Sequence, residues 1–405
     1  MKKTIAFTSA AFNYVPKVRA LCNSIRQHHP EFEVVLALAD HLPHDADLSS
    51  EPFDRILPIA DLDIQDVRRW TFFHTIVELA TAIKPFALLK LLDDPEVERV
   101  IYFDPDMMLF SRLDDMIEAA EGASIALTPH QTRPEQTRRR VMDNEISSLK
   151  HGIYNLGYLL VNNNEEGRRF AQWWANRIYD FCVADIPNGL FTDQRWVDLA
   201  PAFFDNVVIL KNSRYNVAPW NISTRELQGS RAEGFMVDGQ PLGFYHFTGF
   251  DSGAHAIMAE VNAPGNESLQ ELIEFYRHTT EVDKDDRISN TPWAFATYSN
   301  GTRIETLHRR IYREREDLRE AFQDPFADDG SYSFLKWVTY QGPLEYQELK
   351  KISMNHSVRQ AAMSGAMAVS SQRHASYLLA KLSRRSRSFV TRGFRYLKRK
   401  VGNRK

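Results

Sequence analysis

Two carboxylates one residue apart, at the end of an apolar run, are the part of this sequence best equipped for chemistry. The run is Val100-Ile101-Tyr102-Phe103-Asp104-Pro105-Asp106-Met107-Met108-Leu109. On a strand, an i, i+2 spacing puts both side chains on one face. Two hard oxygen donors side by side suit Mg²⁺ or Mn²⁺. A metal held there can neutralise a diphosphate leaving group as its bond breaks. Ligands of open α/β sheets also collect at the carboxyl ends of strands. Asp and Pro are equally turn residues, so the tripeptide also reads as a solvated turn. Asp-x-Asp recurs by chance in a chain of this size, and its neighbours must decide.

Those neighbours are polar residues set into apolar segments. His246 lies in Phe244-Tyr245-His246-Phe247-Thr248-Gly249. A histidine alone on an apolar strand reads as a satisfied core residue; beside a carboxylate pair it reads as a third metal ligand. Asn155 and Gly157 interrupt the strand Tyr154–Asn162, as bulge residues or as site residues. Asp193 and Gln194 stand where a helix begins, so Asp193 also reads as its cap.

The elements that must position these residues follow from periodicity. Residues 4–9 read as a buried strand, Pro16–Gln27 as a helix with Val18, Leu21 and Ile25 on one face, and Phe32–Ala39 as a second strand. Strand, helix, strand implies a right-handed βαβ unit. Further strands are expected at Arg55–Ile59, Arg99–Phe103, Ser124–Leu127, Tyr154–Asn162, Asn206–Leu210 and Gly243–Phe247. Helices are expected over Thr71–Leu92, with Pro85 kinking or restarting it, over Glu165–Phe181, and near Ile304–Phe322. Residues 130–150, with Arg133, Arg138, Arg139 and Arg140, read as a polar loop or lid, either a solvated face or a site for an acidic or phosphate-bearing acceptor. The alternation predicts an α/β fold.

Taken in order, these segments resemble the GT-A fold glycosyltransferases, and most nearly the family 8 type, retaining enzymes that use UDP-sugars. Phe12-Asn13-Tyr14-Val15 resembles the family's first loop, Asp104-Pro105-Asp106 its Asp-x-Asp, Asn155-Leu156-Gly157 its Asn-x-Gly strand, Asp193-Gln194 its Asp-Gln, Tyr215-Asn216 the Tyr-Asn after the next strand, and His246–Gly249 its His-x-x-Gly. The resemblance covers roughly residues 4–255. It implies a Rossmann-like, mixed, mostly parallel sheet flanked by helices. It also implies a Mn²⁺ or Mg²⁺ cofactor held by Asp104, Asp106 and His246, with Asp104 holding the metal or the ribose. Donor binding would fall to Thr8, Asn13, Tyr14, Lys84, Asp104, Gly157 and Gly249. Catalytic or sugar-positioning roles would fall to Asn155, Asp193 and Gln194. If the reaction inverts rather than retains, a carboxylate base is required, and Asp193 is the candidate. Two departures stand out. Phe250-Asp251-Ser252-Gly253 replaces the family's Lys-Pro-Trp, and Lys84 takes the place of an upstream Arg. Residues 292–326, rich in aromatics and Arg, are similar to segments attached to bacterial surface-glycan transferases and read as a subdomain packed on the body.

Composition sets the frame. The 405 residues are 43% hydrophobic and 25% charged, ordinary for a globular chain. Residues 351–405 hold 14 Lys or Arg and no acid, leaving 36 basic against 53 acidic residues over 1–350, a net of −17. Val390, Phe394, Leu397 and Val401 share a helical face with Arg392, Arg395, Lys398, Arg399 and Lys400 around them. A basic amphipathic helix suits an anionic membrane surface, whereas a nucleic-acid partner would be repelled by the acidic body. Cys22 and Cys182 fit no zinc or disulfide framework. Met1-Lys2-Lys3 with Thr4–Phe12 mimics a short signal peptide but reads better as the first strand. The expected organisation is a catalytic domain over 1–280, an accessory subdomain over 281–345 and a basic helical tail over 346–405. The partners expected are a nucleotide-sugar donor and a glycan or lipid-linked acceptor of surface-polysaccharide synthesis, at the inner face of the cytoplasmic membrane. The rival reading is a non-catalytic, membrane-associated binding or scaffold protein. A nucleotidyltransferase is disfavoured because Ala10-Ala11-Phe12-Asn13 lacks the Gly-rich loop that would cradle a triphosphate.

Overall fold

The computed structural model describes residues 2–342, apart from 44, 45, 329 and 331. Apolar runs bounded by polar turns form the strands β1 (Lys3–Ala10), β2 (Glu33–Leu38), β3 (Arg55–Pro58), β4 (Val97–Phe103), β5 (Met107–Leu109), β6 (Ile125–Pro129) and β7 (Tyr154–Asn162). They are followed by β8 (Val183–Asp185), β9 (Leu190–Thr192), β10 (Val207–Ile209), β11 (Leu227–Ser230), β12 (Gly234–Val237), β13 (Gln240–Pro241) and β14 (Phe244–His246). Seven of these make one sheet in the order β10-β6-β7-β4-β1-β2-β3. Every pairing in it is parallel except those of β7, which runs antiparallel to both β4 and β6. The architecture is therefore the expected GT-A type: a mixed, mostly parallel, Rossmann-like sheet flanked by helices, with further helices towards the C-terminus.

The central strands carry continuous apolar runs because both faces are covered. Val100–Phe103 and Leu156–Val161 are buried throughout, and helix Val15–His28 lays Val18, Leu21 and Ile25 onto the same core as Phe103, Tyr158 and Phe244. Residues 283–342 pack on the body through Phe72, whose ring lies 5.0–5.9 Å from those of Tyr298, Tyr312, Phe326 and Phe334. Asp286 pairs with Arg19, and Trp293 donates to the Ala39 carbonyl at 3.0 Å. No helix among the described residues is long and apolar enough to cross a membrane. The basic tail expected over 346–405 lies outside the described residues.

Four expectations need correction. Asp104-Pro105-Asp106 is a turn between β4 and β5 rather than strand, since Met107 N–H closes on the Asp104 carbonyl at 3.0 Å. The strand expected at Gly243–Phe247 is present as Phe244–His246 and pairs with β5 in a separate two-stranded sheet. Residues 138–151 are helical, not a loop: helix Arg138–Arg140 continues through π-turns at Val141–Glu145 into helix Ile146–His151. The Thr137 side chain caps its start, and the buried Asn144 amide bonds Glu135 at 2.6 Å and Asn262 at 3.2 Å, so polar inward contacts hold it while its apolar residues face outward. The charged C-terminal helix is two, Thr306–Glu314 and Glu316–Ala321, broken at the extended Arg315. Thr71–Leu92 is likewise divided, and Pro85 starts the helix Lys84–Leu92 in its first turn, where a missing N–H costs nothing.

Candidate active site

The Asp104–Asp106 turn is fixed by its two flanking strands. Asp104 N–H donates to the Gly157 carbonyl at 2.7 Å, and Phe247 N–H donates to the Asp106 carbonyl at 2.8 Å. The β5–β14 register sets His246 opposite Met107. As a result, one ligand atom each from Asp104, Asp106 and His246 lies within 4.8 Å of the others. His246 Nε2 is 3.0 Å from Asp106 Oδ1 and 3.8 Å from Asp104 Oδ2. A Cβ on Gly157 would meet the Met107 methyl at 2.4 Å and His246 Cε1 at 2.7 Å, so glycine is what lets the imidazole seat there.

The direction of every hydrogen bond behind His246 follows from one backbone amide. Leu156 N–H can only donate, and it meets Gln194 Oε1 at 2.9 Å. That makes the other Gln194 atom the NH₂, which donates to the His151 carbonyl at 3.0 Å. Asn155 therefore presents its NH₂ to Gln194 Oε1 at 3.1 Å, and its oxygen to His246 Nδ1 at 3.1 Å. Nδ1 must carry a proton, and neutral His246 then aims the lone pair of Nε2 at Asp106 and Asp104. Two carboxylates and an imidazole lone pair converging on one point form the donor set of a divalent cation. Without one, burial pulls the His246 imidazolium down but Asp106 and Asp104 outweigh it and raise the pKa; burial pushes Asp106 up, but His246 and the Lys17 charge hold it below the usual carboxylate range.

A second charged layer lies beneath. Lys84 Nζ is 3.0 Å from Asp104 Oδ1 and 3.2 Å from Asp193 Oδ2, over the Tyr102 ring at 4.4 Å. Tyr102 OH donates to Asp104 Oδ1 at 2.6 Å. Burial alone would lower the Lys84 pKa, yet Asp104 and Asp193 hold it well above its ordinary value, so the lysine stays charged. Burial raises Asp193 against the pull of Lys84. Asp193 precedes helix Gln194–Val197 but makes no side-chain cap bond to it.

Asn13 and Tyr14 line a cavity of about 500 Å³ with Lys17, Asp251, Arg277 and His278. Lys17 Nζ bonds Asp251 at 2.5 Å and sits over the Tyr14 ring at 4.1 Å, and Tyr14 OH donates to the same Asp251 carboxylate at 3.2 Å. Gly249, at φ +69°, opens the turn that leads to Asp251. Thr8 is buried on β1, its hydroxyl without a hydrogen-bond partner among the described residues. The structure thus gathers Asp104, Asp106, His246, Asn155, Gly157, Lys84, Asp193 and Gln194 in one cluster and Asn13 and Tyr14 beside it, with Thr8 apart from the bonds that join them. Sequence reasoning missed Lys17 and Tyr102. A lysine in helical register with the core residue Leu21 was the available signal for Lys17; Tyr102, inside an apolar strand, gave none. Trp220, whose ring stands 5.2 Å from that of His246, was missed as well.

No family model matches the chain. Among curated proteins it is 24% identical over 227 residues to the uncharacterized protein YfnF of Bacillus subtilis (strain 168), covering 55% of this chain and 74% of YfnF. It is 23% identical over 248 residues to the uncharacterized protein YfnD of the same organism, covering 60% and 76%. Among solved structures it resembles the galactosyltransferase LgtC in complex with donor and acceptor sugar analogs, at 17% identity and a TM-score of 0.43 over 71% of this chain and 99% of LgtC. It also resembles the glycosyltransferase GlyE of Streptococcus pneumoniae TIGR4, at 16% identity and a TM-score of 0.39 over 70% of this chain and 61% of GlyE.

Proposed function

We propose that this chain is a metal-dependent glycosyltransferase that moves a sugar from a nucleotide-sugar donor, a UDP-sugar, to a glycan or lipid-linked acceptor of bacterial surface-polysaccharide synthesis. The observation that carries the proposal is the convergence of Asp104, Asp106 and the Nε2 lone pair of His246 at the strand ends. These three residues would hold Mn²⁺ or Mg²⁺, which supplies charge neutralisation of a departing diphosphate. Asn13 and Tyr14 bind the nucleoside part of the donor in the adjoining cavity. Lys17 offers the cation that the Phe250–Gly253 loop lacks, exchanging Asp251 for a donor phosphate. Lys84 pairs with Asp104 from below, and Asn155 and Gln194 hold His246 in its ligating tautomer. In the retaining reading the acceptor oxygen bonds to the anomeric carbon as the bond to the phosphate oxygen breaks, on the same face, and the acceptor's proton passes to the leaving phosphate. Two facts support retention over inversion: the family resemblance, and the pairing of the buried Asp193 with Lys84, which keeps that carboxylate from serving as a free base.

The test is metal-dependent hydrolysis of a panel of nucleotide sugars by the wild type and by Asp106→Asn. Turnover of one donor with Mn²⁺ or Mg²⁺, lost in the variant, is expected and identifies the donor. A folded wild-type protein that neither binds nor hydrolyses any nucleotide sugar overturns the proposal in favour of a scaffold.

A further inference from the structure

The helical segment 138–151 is built inside out. Its inward face is polar: Asn144 is 3% exposed and bonded to Glu135 and Asn262, the Ser148 hydroxyl returns to the Asn144 carbonyl at 2.8 Å, and Ser147 and His151 are half-buried. Its outward face is apolar: Met142, Ile146 and Leu149 are 53%, 39% and 64% exposed, and Ile153, just past the end of the helix, is 46% exposed. A surface helix of a globular protein has the opposite arrangement, because water expels the apolar stripe into the core. Here the stripe, spaced i, i+4 and i+7 at Met142, Ile146 and Leu149, points away from the protein. A contiguous exposed apolar stripe of this kind marks a surface that something apolar covers.

The rim identifies the cover. Arg138, Arg139 and Lys150 are exposed at the two ends of the stripe. Glu135 and Glu145 are turned inward, Glu135 bonding Asn144 and Ser223 and Glu145 accepting from the Glu135 amide. Asp143 remains outside, paired with Arg139 at 3.5 Å. On a body of net charge −17 this is a locally basic edge around aliphatic side chains. An isologous dimer through the stripe would press that basic rim against its own image. An anionic bilayer accepts both parts, headgroups for the cations and acyl chains for Met142, Ile146 and Leu149.

We infer that residues 138–153 form a membrane-seating helix for an anionic lipid surface, independent of the basic tail. The last turn is tied to the site, because Gln194 donates to the His151 carbonyl at 3.0 Å and Arg195 to the Leu149 carbonyl at 3.2 Å. Seating the stripe therefore holds the Asp104–Asp106–His246 cluster close to the lipid surface, where a lipid-linked acceptor would present its sugar.

The experiment is vesicle flotation of the full chain with phosphatidylcholine vesicles containing or lacking about one-third phosphatidylglycerol. The triple variant Met142→Ser, Ile146→Ser, Leu149→Ser is expected to partition roughly 10-fold or more weakly to the anionic vesicles. Its melting temperature should be unchanged or higher, and its nucleotide-sugar hydrolysis without vesicles unchanged, so a failure here is separate from a failure of the proposed activity. Arg138→Glu with Arg139→Glu is expected to weaken the preference for phosphatidylglycerol, down to the part that the basic tail contributes. An environment-sensitive fluorophore on Leu149→Cys should shift to the blue with anionic vesicles, the native Cys22 and Cys182 being buried. The inference fails if the triple variant floats as the wild type does, if the fluorophore does not shift, or if the wild type is a dimer that the triple variant dissociates.

Discussion

Two clusters in this molecule gather nearly the same side chains. His29, Glu31 and Asp114 meet on one surface, and Asp104, Asp106 and His246 meet at the strand ends, each set with ligand atoms within 4.8 Å of one another. The difference lies in what stands behind them. Arg112 already forks between the surface carboxylates, 2.8 Å from Glu31 and 2.7 Å from Asp114. His29 Nε2 accepts the Leu113 amide at 2.8 Å, which spends its lone pair, and Nδ1 turns its proton to Glu31. At the strand ends no guanidinium intervenes, Asn155 takes the Nδ1 proton, and the Nε2 lone pair faces the carboxylates. Ligand types that converge make an ion-pair knot in one place and leave a donor set open to a cation in the other, and the hydrogen bonds behind the ligands decide which.

The largest effect expected from this contrast is at Asp106. Asp106→Asn should lower metal-dependent donor turnover on the order of 10²–10³-fold, while Asp114→Asn leaves it at the wild-type rate. Equal losses from the two would break the comparison. Next comes the wiring itself. Asn155→Leu removes the acceptor for His246 Nδ1–H and should weaken Mn²⁺ binding roughly 10- to 100-fold, read by paramagnetic resonance of free Mn²⁺. Gln194→Leu acts through Asn155, so the double variant should lose little more than Asn155→Leu alone. Additive losses would mean that the two residues act separately on the ligand.

A smaller effect is expected at Lys17. Lys17→Met should weaken donor binding about 10-fold, the scale of one charge-assisted hydrogen bond, with a lesser change in Mn²⁺ affinity. Asp251→Asn frees the same lysine and should leave donor affinity equal or higher. Donor affinity that falls in both variants would show that the Lys17–Asp251 pair is a structural tie rather than one exchanged for phosphate.

How much of this was legible in the sequence depends on the length scale of the signal. The seven-stranded sheet follows from runs such as Val100–Phe103 and Tyr154–Asn162, where period and burial are local. The proposed ligand residues Asp104, Asp106 and His246 are singled out by their order along the chain, and the structure places them together. The wiring was not legible, because it joins Asn155 to Gln194 and His246 across 39 and 91 residues through side-chain directions that no spacing encodes. Helix 138–151 was missed because its inward residues are polar, so apolar periodicity pointed the wrong way. The segment over 283–342 reads as an aromatic- and Arg-rich piece packed on the body, but its anchors, contacts such as Ala294 N–H to Asp40 at 2.9 Å, are not legible.

Asp40 sharpens the contrast from a third environment, a buried carboxylate with backbone donors but no metal partner. Burial raises its pKa to about 6, against opposing hydrogen bonds from Ala294 and His41. A raised carboxylate pKa means that the folded state holds the proton more tightly than the unfolded one. Its contribution is therefore most favourable below pH ~4 and is lost as pH rises to about 6, by on the order of 2 kcal/mol. Measured as a difference, the melting temperature of Asp40→Asn relative to the wild type should shift in the variant's favour as pH rises across that window, whatever the buried histidines contribute to both. An unchanged slope in Asp40→Asn would assign the pH dependence to other groups.

The smallest expected effect is the most pointed test. If ligand types and proximity alone made a metal centre, removing the guanidinium that fills the surface cluster would create one. Arg112→Ala, placed in an Asp106→Asn background to silence the strand-end site, would then acquire a Mn²⁺ site built from His29, Glu31 and Asp114. The wiring forbids it. His29 Nε2 is still committed to the Leu113 amide, its Nδ1 proton still faces Glu31, and two exposed carboxylates freed of Arg112 relax apart in water rather than converge. No new Mn²⁺ binding and little change in melting temperature are therefore expected. A new site would mean that His29 gives up its backbone partner for a metal, so that a hydrogen bond from a backbone amide is too weak a commitment to distinguish the two clusters.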